Sequence, residues 1–363
     1  MSRRRSQRPL PPCFILGAIS ALLIAATVLA PAGDATPTAS QSDDGQTLAL
    51  LETPALATVV PARWQRPPRP QPEETADRCA GRYRVAVIDM FYPGDYSFAS
   101  RSERDRQFLV RDAVDVDGDG VRDPYYHGDI VSLYADHPAI EIVPYNVGNL
   151  TTAKEQIARH LAKIQNQVAR GTAIDAILLA WESSTLISSL DSPVRLDHAA
   201  AYKARLREWR DASEDWRSTY EIVNRLERLT AMGVAVFTIA GNTGPRMINV
   251  YTLADGVTAV GAAEGSGEAD WSGRNAFVDM VAPAIYHVRL VRGGQSQMSG
   301  YDLNEDGVAD VPLERVSSFN GRRHGLVPRA DTVLWGSSYA AATAVKRHFA
   351  GASAQCTEHT GVP

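Results

Sequence analysis

Short apolar runs rich in β-branched residues alternate with segments of helical period along most of this chain. YRVAVID (83–89), IEIVPYNV (140–147) and IDAILLAW (174–181) read as buried strands. Between the last two, the segment 151–171 sets Ile157, Leu161, Ile164 and Val168 on one helical face and stops at Gly171. A long charged helical stretch follows over 197–233. VAVFTIAGN (234–242), GVTAVGAAE (256–264) and FVDMVAP (277–283) read as further strands, and SSYAAATAVKRHFA (337–350) as a helix of small residues. Strands alternating with helices predict an α/β fold, a three-layer sandwich with a mostly parallel central sheet flanked by helices. The pattern assigns one domain to 81–350 and leaves 351–363 as a C-terminal tail.

The first eighty residues follow a different pattern. An arginine-rich start precedes an uncharged apolar run from Phe14 to Ala30, and Ala30 and Ala32 have the small-x-small spacing of a signal-peptidase site. Residues 1–32 therefore read as a signal peptide or an N-terminal anchor. Either reading exports the domain: secreted or periplasmic in the first case, membrane-anchored outside the cytoplasm in the second. The chain meets a membrane only if that segment stays uncleaved. Residues 33–80, rich in Pro and Ala, cannot bury enough apolar surface to order themselves and read as a linker or short pro-segment. A net charge of −5 argues against a nucleic-acid partner. Once Cys13 has left with a signal, Cys79 and Cys356 bracket the domain, as one disulfide or as two free thiols.

Function in parallel α/β folds gathers at the carboxyl ends of strands. Asp89 ends the first strand, Asn242 ends VAVFTIAGN, and Ser338 opens the last helix; His127 lies between the first two strands. A serine hydroxyl needs a histidine to take its proton, and that histidine needs a carboxylate to fix its tautomer. A developing oxyanion needs a preorganised donor, which an asparagine amide can supply. Each residue also has a plainer reading: a helix cap for Asp89 and Ser338, a turn for Asn242. Ser337 offers a rival hydroxyl.

Two acidic loops point to a hard cation. Asp115, Asp117, Asp119, Val121 and Asp123 occupy positions 1, 3, 5, 7 and 9 of an EF-hand-type loop, and Asp302, Asn304, Asp306, Val308 and Asp310 repeat the pattern. Both lack the acid at position 12, where Tyr126 and Leu313 stand. Calcium is the cofactor these oxygens suit; the plain alternative is an Asp-Gly-rich solvated turn. Calcium prefers oxygen, so His127, just past the first loop, is not expected among its ligands.

The motifs VAVIDMF, HGDIVS, IAGNTG, VGAAEGSGEADWSGRNAFVDMVAPA and GSSYAAA, in this order, resemble those of the subtilisin-like serine peptidases. The resemblance covers Tyr83 to about His348. It implies a serine endopeptidase acting on protein or peptide substrates. Asp89 would orient the histidine, His127 would be the base, Ser338 the nucleophile, and Asn242 a donor to the oxyanion. It further implies that Ala180, Trp181 and Glu182, with Ala240 and Gly241, line the substrate. The chain departs from the family pattern at Met90, Phe91, Asp129, Trp181, Glu182, Ala284 and Ala342. Those departures support a second reading, a catalytically inactive member of the same fold that binds partners in a calcium-dependent way.

Overall fold

The computed structural model describes residues 82–91, 114–116, 125–148, 152–292, 299–312 and 331–360. All lie in the unit Ala57–Pro363. In chain order the strands are β1 (Tyr83–Asp89), β2 (Ile140–Asn146), β3 (Ala176–Leu179), β4 (Ser184–Leu186), β5 (Ala235–Ile239), β6 (Met247–Asn249), β7 (Val257–Glu264), β8 (Gly267–Glu268), β9 (Met280–Pro283), β10 (Ile285–Val291), β11 (Gly300–Asp302), β12 (Val311–Pro312) and β13 (Asp331–Trp335). The α-helices are α1 (His127–Ala135), α2 (Ala153–Ala169), α3 (Ala199–Arg210), α4 (Glu214–Ala231) and α5 (Ser337–Thr360).

Seven strands form one sheet in the order β2-β1-β3-β5-β7-β8, with β9 also on β7; every pairing is parallel except β7 with β8. The fold is thus α/β with a mostly parallel central sheet and helices on both faces. Alternate residues of each strand feed the two cores, because side chains in a strand point to opposite faces in turn. Val85, Val87, Leu178 and Phe237 pack with α1 and α5 residues such as Ile130, Ala341 and Val345. Ala86, Ile88, Ile177 and Val236 pack instead with Ile157, Leu161, Ile222 and Leu226 from α2 and α4. Burial on both faces explains why these strands read as continuous apolar runs.

The expected strands and the helix over 151–171 are present. Thr152 caps that helix, accepting from Glu155 N at 3.3 Å while Glu155 accepts from Thr152 N. Three features differ from expectation. The charged stretch is two helices, broken where the Ser213 hydroxyl accepts from Trp216 N at 3.2 Å and starts α4. The last helix continues to Thr360, through the expected boundary at 350. A second, antiparallel sheet of order β12-β11-β10-β13 joins β9 to α5. Its strands β11 and β12 have three and two residues, too short for a period-2 signal.

Candidate active site

Asp89 is the last residue of β1 and only 1% exposed. Both of its carboxylate oxygens face His127 Nδ1, at 3.0 and 2.9 Å, and one also accepts from Met90 N at 2.7 Å. A carboxylate can only accept, so the histidine proton sits on Nδ1 and leaves Nε2 to act as a base. His127 begins α1, and Gly128 holds that helix against the strand. Gly128 N donates to Met90 O at 2.8 Å, and a Cβ at Gly128 would meet that oxygen at 2.6 Å and Asp89 Cβ at 2.9 Å. Asp129 acts within its own helix. Its carboxylate accepts from Tyr126 N at 2.9 Å, closing the first turn of α1 at the end where negative charge is favoured.

Ser338 opens α5 and is 3% exposed. Its hydroxyl donates to the Ala180 carbonyl just past β3, at 3.4 Å. The ring of its neighbour Tyr339 lies 5.9 Å from that of His127 and 5.1 Å from that of Tyr134, so the first turn of α5 packs along α1. Register fixes this approach: Trp335 of β13 pairs with Ile285 of β10, and Gly336 N donates to Ala284 O at 3.0 Å. Ala284 and Ala342 are fully buried, packed in the core around the helix start.

Asn242 follows β5 and is tied at both ends. Its Oδ1 accepts from Ser337 N at 2.9 Å and from the Ser337 hydroxyl at 2.7 Å. An N–H can only donate, so the atom facing Ser337 N is the amide oxygen, and the NH2 group is aimed elsewhere. Ser337, fully buried, therefore orients the asparagine amide; its hydroxyl is committed to Asn242. The Asn242 backbone N–H donates to Glu182 Oε2 at 2.7 Å.

The residues expected to line a substrate behave differently from one another. Ala180 and Ala240 are buried at the strand ends. The indole of Trp181 packs on the α2/α4 core, on the other face of the sheet from Ser338, so it does not narrow a pocket there. Gly241 has φ +102°, and a Cβ there would come within 2.5 Å of Glu182 Oε2. Burial pushes the Glu182 carboxyl above the ordinary carboxylate range, against the Asn242 N–H and the Ser184 hydroxyl, which hold it down. Trp271 and Trp335 stand with ring centroids 5.0 Å apart, and the Trp271 carbonyl accepts from Gly244 N, two residues past Asn242, at 2.9 Å.

Of the two acidic loops, the second is described. Asp302 accepts from Glu305 N and Gly307 N at 2.7 and 2.8 Å, Asn304 from Asp306 N at 3.0 Å, Asp306 from Val308 N at 2.8 Å, and Asp310 from Leu303 N at 2.8 Å. The loop closes on these bonds to its own backbone. Burial, with Asp306 and Asp302 adding to it, pushes the Asp310 carboxyl up. The donors are all oxygens, as a hard cation requires. Yet among the described residues no three or more His, Cys, Asp or Glu side chains converge as a metal cluster. In the first loop, Asp117, Asp119, Val121 and Asp123 lie outside the described residues; Asp115 lies at its described edge. Cys79 and the side chain of Cys356 also lie outside them, as do residues 1–32 and the linker.

No protein-family model and no curated protein matches the chain. Among solved structures it is similar to the prenylagaramide maturation protease PagA, at 14% identity over 80% of this chain and 82% of that one, with a TM-score of 0.40. A mutant of the protease domain of PatA gives 16% identity, 77% and 82% coverage and a TM-score of 0.41. The epidermin leader peptide processing serine protease EpiP of Staphylococcus aureus gives 13%, 77% and 66%, with a TM-score of 0.40. At these TM-scores the likenesses carry no weight beside the geometry of the site.

Proposed function

We propose that the chain is an exported serine endopeptidase of the subtilisin type, hydrolysing peptide bonds in protein or peptide substrates. The observation that carries this reading is the buried Asp89 carboxylate, which faces His127 Nδ1 with both oxygens. In the proposed reaction His127 Nε2 removes the Ser338 proton as Oγ attacks the substrate carbonyl carbon, and Asp89 stabilises the imidazolium that forms. The long bond from Ser338 to Ala180 O is given up at that moment. Asn242 Nδ2 and the Ser338 backbone N–H at the start of α5 take the negative charge that develops on the carbonyl oxygen. Collapse of the tetrahedral species breaks the C–N bond, and the leaving amine takes the proton from His127. Water, activated by the same histidine, then releases the acyl group and regenerates the serine.

Calcium belongs to the same proposal. A divalent ion at Asp302, Asn304, Asp306, Val308 and Asp310 would relieve the repulsion that Asp306 and Asp302 exert on Asp310. The sequence alone carries the first loop, the Cys79–Cys356 disulfide and export through the segment Phe14–Ala30.

Fluorophosphonate labelling of the chain beginning near residue 75, beside Ser338→Ala, tests the reading. Covalent labelling that disappears in Ser338→Ala is the expected result. A folded chain that takes no label would sink it and favour the inactive, calcium-dependent binding protein.

A further inference from the structure

The proposed centre holds a carboxylate that the reaction does not use. Glu182 lies two residues past Ala180, whose carbonyl faces Ser338 Oγ. Its Oε2 sits 2.7 Å from the backbone nitrogen of Asn242, the residue assigned to the oxyanion, and close against Gly241. It is half-buried, and no Lys, Arg or His among the described residues acts on it; its neighbours are a backbone N–H and a serine hydroxyl. An ionised carboxylate here opposes the very charge that the reaction must create on the substrate carbonyl, because like charges a few ångströms apart in a half-buried site are poorly screened. A half-buried carboxylate without a counter-ion beside reacting groups is the kind of group that function accounts for better than stability.

We propose that Glu182 determines specificity: it selects peptides with a lysine or arginine side chain next to the scissile bond, whose cation neutralises the carboxylate. The cation does two things at once. It pairs with Glu182, and it removes the opposition to the oxyanion, so discrimination appears in turnover as well as in binding. The position of Glu182, on the segment that contacts both Ser338 and Asn242, confines the recognised side chain to the immediate neighbourhood of the bond cleaved. This inference rests on the peptidase reading for its site. A purely structural role, holding Asn242 N–H, would be kept by glutamine, whose carbonyl oxygen accepts the same bond without the charge.

The test compares two peptides of one sequence, one with arginine and one with citrulline at the residue before the scissile bond, the second having the same shape and no charge. Binding is measured on the Ser338→Ala chain and cleavage on the chain with its serine. The arginine peptide is expected to bind about tenfold more tightly, as one net charge-assisted pair allows. Introducing Glu182→Gln should bring the ratio to near one while the melting profile stays cooperative. Equal binding of the two peptides by the parent chain, binding of neither, or a preference that survives in Glu182→Gln overturns the inference; the first two need no substitution at Glu182. Preference without cleavage of either peptide overturns the peptidase reading and leaves the cation selection standing. Cleavage without preference does the reverse.

Discussion

Glu182 shows what a single side chain adds to the cost of folding. Its carboxyl is raised in the folded chain by burial, so the folded state favours the protonated form. A carboxyl raised by folding contributes stability below its unfolded pKa, and that contribution is lost as pH rises through the folded value. At neutral pH the ionised group is therefore a net penalty, which Glu182→Gln removes. The melting temperature of Glu182→Gln should exceed that of the parent chain at pH 7, and the gap should close at a pH below the ordinary carboxylate range. A constant gap at both pH values would contradict the burial argument. The sequence shows an acidic residue at 182, but its contact with Asn242 spans sixty positions and depends on how β3 and β5 align. Asp89, His127, Asn242 and Ser338 stand out in the sequence because each lies at or just past a strand end or at a helix start, within a short motif. Ser337 was legible only as a rival hydroxyl. Its partner lies 95 residues away, and no local pattern announces that bond.

Between elements, the contact of α1 with β1 sets the geometry of the Asp89–His127 pair. Gly128 is required there for close approach: an added methyl would meet the Met90 carbonyl oxygen at 2.6 Å. Gly128→Ala must push the helix start away from the strand, and displacement of reacting groups by about an ångström costs about 10²-fold in rate. Fluorophosphonate labelling should slow by about that factor in a chain that remains folded, and unchanged labelling would show that α1 can shift without moving His127. Asp129, at the third position of α1, accepts from Tyr126 N and closes the first turn of its helix. Asp129→Ala loses the bond from Tyr126 N and should lower stability by about 1 kcal/mol in chemical denaturation, with labelling reduced far less than in Gly128→Ala. Helix periods were legible in the sequence where one face is buried, as in α2. The break between α3 and α4 was harder to read, since the polar residues flanking Ser213 look like the continuing exposed face of one helix.

At the scale of the molecule, two sheets meet at the start of α5, the segment that carries Ser338. β9 ends in the parallel sheet at Pro283, β10 begins the antiparallel one at Ile285, and Ala284 between them accepts from Gly336 N just before α5. The parallel sheet was legible from its long apolar runs. The antiparallel one was not, because β11 and β12 are too short to carry periodicity and the pairing of β10 with β13 joins segments up to 50 residues apart. The acidic loop 302–310 connects β11 to β12, and β11 pairs with β10, the partner of β13. Calcium bound there would brace the sheet that delivers Ser338. Chelation is expected to lower the melting temperature and the labelling rate together, and Asp302→Asn with Asp306→Asn should abolish the response to calcium. A shift of melting temperature with no change in labelling would leave the loop bracing the sheet alone.

The pair Trp271 and Trp335 has an optical consequence. Two indoles with centroids 5.0 Å apart, inclined at 56°, are expected to couple their electronic transitions and give a bisignate signal in far-ultraviolet circular dichroism. Trp335, 51% exposed, stands three residues before Ser338, and Trp271 is bonded through its carbonyl to the loop that follows Asn242. If the centre proposed around Ser338 takes up a peptide, a change in that signal is expected to report it without any added label.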